Sequence, residues 1–372
     1  MTAYRPPVDA ASLAQNFLVF ANAECASEPL YAALSRAISD DRDILDLLLE
    51  APYPQRRPVL LFAATHDLLL AGIAHPLARF YRSVARDDEL RDDVEHAFAA
   101  FADFCGQQHH ALLALQRERT TQTNEVGRCA GLRLVLAALE TSRPIALIDV
   151  GCSAGLNLLV DRYRFDYRLS DTSVRTVGPD SPVVIAAAFE ARAFPFDRDA
   201  MPAIVERCGI DLAPLDLNDA RDARWLRACV WPSDVERHSR LHSAIALARE
   251  TSIELHRGDA NDRLTTIVEA LDRDVRPVVF HSWVVSYFDR AARERFANAA
   301  RAIVMERDGA WISAEAAGVV PGLDAPALPD DPSPARREAT IWHLTTHSAD
   351  GASEVRTMAR THPHGRWIEW LA

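Results

Sequence analysis

The feature that most constrains this chain is the apolar run Ile145 to Val150, followed at once by Gly151-Cys152-Ser153-Ala154-Gly155 and a helical pattern from Leu156. This order spells strand, tight small-residue turn and helix. In an open α/β sheet such a turn closes the carboxyl end of a strand, where ligands bind. Small side chains at the turn let a ligand approach the backbone. Asp149 is the single charged residue of the run.

The rest of the chain divides around this point. Residues 1–143 read as a helical or cap domain. Leu90, Val94, Phe98, Phe101 and Cys105 step by three and four, and Val59 to Ile73 is apolar nearly all round, as in a helix buried among others. Asn124 to Leu139 predicts another helix, with Thr123 or Asn124 as its cap. Residues 144–372 alternate strand and helix. Strands are expected at Ile204–Ile210, Ile253–His256, Val278–His281 and Ala310–Ser313, with helices between them, notably Val235–Arg249, Asp262–Leu271 and Ala291–Val304. That alternation predicts a doubly wound, mainly parallel sheet. Ile341–Thr346 and Glu354–Arg360 add an antiparallel hairpin turning near Asp350-Gly351. An insertion is expected over about residues 164–203, and 318–335, rich in Pro, Gly and Asp, reads as a surface loop.

Three chemistries compete for the turn. A dinucleotide loop needs glycine at the positions held by Gly151, Ser153 and Leu156, so two of three are missing and NAD is set aside. A nucleophile elbow, G-x-S-x-G, fits Gly151 to Gly155 letter for letter. Ser153 would then be an esterase nucleophile, with Asp289 and His362 able to complete a triad in chain order. Against it, the preceding region is helical and no His-Gly oxyanion segment lies upstream. The third reading is an S-adenosylmethionine loop. Asp149 to Gly155 resembles methyltransferase motif one, with Ser153 in place of a middle glycine.

The resemblance to methyltransferases assigns further residues. It implies that Asp149, Gly151, Ser153, Gly155 and Asn157 hold the methionine part of the cofactor. Asp211, in Gly209-Ile210-Asp211, would accept from the ribose hydroxyls, with Asp166 as a rival because the insertion lengthens the spacing. Asp259 and Ala260 would meet the adenine. Phe280-His281-Ser282-Trp283 follows the fourth strand, where substrate-facing residues sit; His281 is the candidate base and Trp283 an apolar wall. The polar stretch Thr121 to Glu125 offers Gln122, Asn124 and Glu125 to the substrate pocket, although a helix cap explains it equally well. A non-catalytic binder of the same cofactor is a further reading.

Composition narrows the classes. Among 372 residues there are 41 basic against 53 acidic, a net charge of −12, and none of the basic residues is lysine. Schiff-base chemistry through pyridoxal phosphate or a carbonyl substrate is thereby excluded, as is a Walker A loop. The negative charge disfavours nucleic acid and anionic membrane as partners, leaving a small-molecule acceptor. The six cysteines lack paired spacing and read as buried thiols rather than bridges or zinc ligands. His362, His364 and Arg366 read as a turn, so no metal is expected. With no signal-like amino terminus and no bilayer-length apolar run, the expected location is cytoplasmic.

Five segments together carry a narrower likeness. Pro76 to Tyr81, Thr121 to Val126, Gly151 to Leu158, Trp225 to Pro232 and His362 to Trp367 resemble the bacterial domain-of-unknown-function family 2332. The likeness spans nearly the whole chain and implies a methyltransferase-like fold, without naming an acceptor.

Overall fold

The computed structural model describes residues 7–25, 28–139, 141–191, 194–196, 201–324, 326, 336, 338–348 and 351–372. The expected turn residue Asp350 and most of the 318–335 loop lie outside them. The chain forms two compact units: Met1–Thr123 with Asn218–His242, and Asn124–Leu217 with Ser243–Ala372. The sequence pattern placed the boundary at 143. Residues 124–143 instead belong with the sheet, and a later segment returns to the helices.

The first unit contains α1 (Ala10–Val19), α2 (Pro29–Ile38), α3 (Arg42–Leu49), α4 (Pro58–Leu70), α5 (Ala97–Gln107) and α6 (His109–Glu118). After α7 (Cys129–Ala137), which belongs to the sheet unit, come α8 (Ala220–Ala228) and the first part of α9 (Val235–Arg249). α4 is buried on nearly every side, as a sequence apolar nearly all round requires. Its Phe62 ring centres an aromatic cluster, stacked on Tyr31 at 4.3 Å with Phe17, Phe20 and Phe101 around it. The expected stripe from Leu90 is only partly helical. α5 begins at Ala97, and the acid-rich stretch before it forms turns.

α4 and α8 are joined by a partly buried ion pair in which Arg224 donates to both oxygens of the enclosed Asp67, at 3.0 and 3.1 Å. Beside it His66 places its ring nitrogens against the Ala228 carbonyl (3.0 Å) and the Ser83 hydroxyl (2.7 Å), edge-on to His238. Burial, then the charge of His238, holds His66 down at about 3. Burial likewise lowers His238 to about 4, with Arg227 as the next cause. A histidine held low in the fold contributes stability above its ordinary value, and that stability is lost as pH falls toward the folded one. Each unit is worth about 1.4 kcal/mol, so protonating His66 costs on the order of 5 kcal/mol. Thermal midpoints should therefore fall from about pH 6.5 down to about pH 3, and His66→Gln should flatten that slope. An unchanged slope in the variant would refute the assignment.

The second unit is built on an 11-stranded sheet ordered β3-β2-β4-β11-β10-β9-β8-β7-β1-β5-β6. Its strands are β1 (Ile145–Val150), β2 (Arg164–Arg168), β3 (Val174–Val177), β4 (Val184–Glu190), β5 (Ile204–Asp211) and β6 (Glu254–Arg257). They continue as β7 (Arg276–Ser282), β8 (Ala310–Ala316), β9 (Thr340–His347), β10 (Ser353–Thr361) and β11 (Trp367–Trp370). β6, β5, β1, β7 and β8 are parallel neighbours, which accounts for the largely apolar β1 and β7, buried at every position. From β1 the chain adds β5 and β6 on one side, then β7 and β8 on the other. The strand order therefore reverses between β1 and β7, the place where open sheets bind ligands.

β9, β10 and β11 continue from β8 as an antiparallel meander. The expected hairpin is thus β9–β10, and β11, a strand the sequence did not suggest, follows the turn expected around His362 to Arg366. β11 pairs in parallel with β4, so the inserted strands extend the same sheet instead of forming a separate lobe. Arg336 bonds Glu190 of β4 and Glu369 of β11 across this seam. α10 (Ala260–Ala270) and α11 (Arg290–Arg307) pack Leu264, Ile267, Phe296 and Ile303 onto Ile148, Val150, Ile210, Val279 and Trp311. α7 meets β9 closely: a Cβ on Gly131 would lie 2.6 Å from the Trp342 ring, so glycine is required there. Asp9, Asp41, Asp219, Asp259 and Asp289 start α1, α3, α8, α10 and α11, each accepting a backbone N–H.

Candidate functional site

Asp149 ends the apolar part of β1 and is the polar interruption of a strand otherwise built for burial. Its side chain is 1% exposed. Burial, and then the charge of Asp211, pushes its carboxyl well above the ordinary carboxylate range, against the opposing pull of Arg128 and a hydrogen bond from Asn157. Asn157 is oriented for this because its Oδ1 accepts from the Cys129 thiol at 3.4 Å, turning the amide nitrogen toward the acid. The other carboxylate oxygen of Asp149, Oδ2, has no hydrogen-bond partner among the described residues.

The turn after β1 is left-handed at three positions: Gly151 (φ 76°), Ser153 (φ 54°) and Gly155 (φ 75°). Ser153 is the costly one, because a Cβ disfavours that region. It is held there by Asp211, whose Oδ2 accepts from the Ser153 N–H at 2.9 Å while Oδ1 accepts from Ala213 N–H at 2.8 Å. The Ser153 carbonyl in turn accepts from Leu215 N–H. The Ser153 hydroxyl is buried and has no partner among the described residues. A Cβ on Gly151 would meet Val284 at 2.5 Å, and one on Gly155 would meet Ile253 and Leu255 at 3.2 Å. These two glycines thus admit neighbouring side chains. The segment from Leu156 is a kinked 3₁₀ turn ending at Arg162, shorter than the expected helix.

The other acids separate cleanly. Asp211 ends β5 beside β1, and its first task is to brace the turn. Asp166 lies on β2, with six strands between it and β1, and is bonded to Arg164 and Thr176. It does not share this site. Asp259 is exposed and caps α10 through Asn261 N–H at 2.8 Å, with Ala260 buried behind it.

The stretch before α7 joins the site in a way its sequence concealed. Asn124 does not cap its own helix; its Oδ1 accepts from Leu156 N–H at 3.0 Å and so holds the turn after β1. Glu125 caps the following 3₁₀ turn by accepting from Gly127 N–H at 2.9 Å. The His362 to Gly365 turn packs directly on that segment. A Cβ on Gly365 would lie 2.0 Å from the Gly127 carbonyl oxygen, and Arg128 donates to the Pro363 carbonyl at 2.9 Å. Two polar motifs far apart in sequence thus meet beside Asp149, and Arg128 was the residue no pattern singled out. Gln122 belongs to the helical unit, where its backbone N–H faces Cys229 Sγ.

His281 lies on the other face of the sheet. Parallel neighbours share a face, and the register pairs Asp149 with Phe280 and His281 with Val150. The His281 ring packs against Phe296 and Trp311 under α11, and its Nδ1 lies 3.0 Å from Glu315 Oε1. The same oxygen accepts from the Val284 and Val285 N–H groups, both at 2.9 Å. Glu315 therefore pins the segment after β7, including Val284 over Gly151. Trp283 adopts φ 55° and donates through Nε1 to Thr340 Oγ1 at 2.8 Å. Glu315, an acid near the end of an apolar strand, carried the same signal as Asp149 and was overlooked.

The esterase triad finds no assembly here. Asp289 is committed to capping α11, and the His362 Nδ1 accepts from His364 N–H. Among the described residues no helix is long and apolar enough to cross a membrane. No curated protein matches the sequence. The model of a family described as an uncharacterized protein conserved in bacteria, domain of unknown function 2332, matches residues 14–370. Both motifs that converge beside Asp149 fall inside that span, and the chain belongs to this family.

Proposed function

We propose that the chain binds S-adenosylmethionine at the carboxyl end of β1 and directs its methyl group to a small-molecule acceptor. The observation that carries this reading is Asp149: a buried acid at the strand-order reversal with one oxygen unpartnered among the described residues, in a setting where leaving such an oxygen unbonded costs about 1–3 kcal/mol. The Ser153 hydroxyl, on the adjoining turn, is likewise buried and without a partner among the described residues. These two atoms, rather than the filled faces of Gly151 and Gly155, would meet the cofactor.

The bound cofactor supplies an activated methyl, so the protein's share is to orient and to exclude water. Asn124 and Asp211 fix the turn from two sides, and Asn157 and Arg128 set the field at Asp149. His281, on the opposite face, has no part in this reading; an acceptor that is already deprotonated needs no base. The esterase alternative is disfavoured because no base lies within hydrogen-bond reach of Ser153 Oγ among the described residues. Calorimetry with S-adenosylmethionine and S-adenosylhomocysteine tests the proposal, and one equivalent of each should bind. No heat with either ligand, or labelling of Ser153 by a fluorophosphonate, would overturn it.

A further inference from the structure

The open edge of the parallel sheet carries a second group of chemistry-bearing residues. Cys208 of β5 sits directly opposite Glu254 of β6, and His256 follows two residues later on the same face. Their ligand atoms, one thiol, one carboxylate oxygen and one imidazole nitrogen, all lie within 4.8 Å of one another. His256 Nε2 is already 3.3 Å from Glu254 Oε1. Tetrahedral zinc with these donors spaces them about 3.4 Å apart, so modest rotation of the side chains closes the set.

We propose that Cys208, Glu254 and His256 form a zinc site that ties the edge strand β6 to β5. The donor chemistry favours zinc over calcium or magnesium, which take oxygen ligands, and thiolate with imidazole suits a borderline-soft ion. Three protein ligands leave a fourth position for solvent. Glu206, two residues before Cys208 on the same strand face, adds negative charge for the cation. Cys208 is buried while His256 and Glu254 are progressively more exposed, so an ion can enter from solvent and end on the thiolate. Binding releases the thiol proton and forms a zinc–sulfur bond, with no change in oxidation state.

The test is titration of the chelator-treated full chain with cobalt(II), then displacement by zinc. One equivalent of cobalt should bind with a thiolate-to-metal charge-transfer band and the visible spectrum of a tetrahedral ion, both bleached by zinc. Cys208→Ser should abolish the band. His256→Ala and Glu254→Gln, at more exposed positions, should weaken binding by at least about 100-fold while circular dichroism stays unchanged. Absence of the band in the folded wild-type chain, or its persistence in Cys208→Ser, would overturn the assignment. Full affinity in both His256→Ala and Glu254→Gln would do so as well, which keeps the test decisive even if Cys208→Ser folds poorly.

Discussion

Replacing Arg224 by alanine should destabilise the helical unit by about 3–5 kcal/mol, because it strands the enclosed Asp67 carboxylate. Asp67 is almost fully enclosed, and burial raises its carboxyl, with Arg224 as the chief opposing influence. Without the guanidinium the acid must either stay charged in a poorly hydrated place or take up a proton. Both routes cost stability. Replacing the pair together, Asp67→Leu with Arg224→Met, should return most of it, because two apolar side chains carry no desolvation cost. Urea denaturation of the two variants decides the matter. A loss below about 1 kcal/mol in Arg224→Ala would show that the pair behaves like an exposed one.

The second large effect concerns Asp149. Asp149→Asn keeps the shape but replaces the ionisable carboxyl by an amide, so affinity for S-adenosylhomocysteine should fall about 10- to 150-fold, the worth of a hydrogen bond to a charged ligand group. Stability should move the other way. An acid whose folded value is raised contributes stability at low pH that is lost as pH climbs through that value. The wild-type chain should therefore lose stability from about pH 4 upward on this account, and the asparagine variant should lack that decline. Unchanged affinity with a flattened pH profile would leave Asp149 as a purely architectural acid and sink the cofactor reading.

Local chemistry made much of the sheet legible. β1 and β7 are central parallel strands, and such strands must be apolar on both faces, so their sequences announce them. β11 did not announce itself, because Trp367-Ile368-Glu369-Trp370 is short and follows a proline-glycine turn. Register was equally hidden: His281 and Asp149 both end neighbouring strands, yet a one-residue offset sends their side chains to opposite faces. The return of residues 218–242 to the helical unit brings Arg224 onto Asp67 across 157 residues, a meeting no local pattern contains. Asn124 was noticed for the right reason, a side-chain oxygen seeking a backbone N–H, but its donor is Leu156, 32 residues away. The cysteine, glutamate and histidine of the sheet edge escaped a spacing rule because they converge only through strand pairing.

The pairing of β11 with β4 has a consequence for biosynthesis. Of the described strands β11 is made last, yet β4, made about half a chain earlier, has β11 as its neighbour on that side. Until translation reaches it, β2, β3 and β4 form an unmoored flap, and β10 shows a bare flank. Ends of that kind recruit strands from other nascent copies. A prematurely terminated product would keep the parallel half and its Asp149 while remaining adhesive along this unclosed seam.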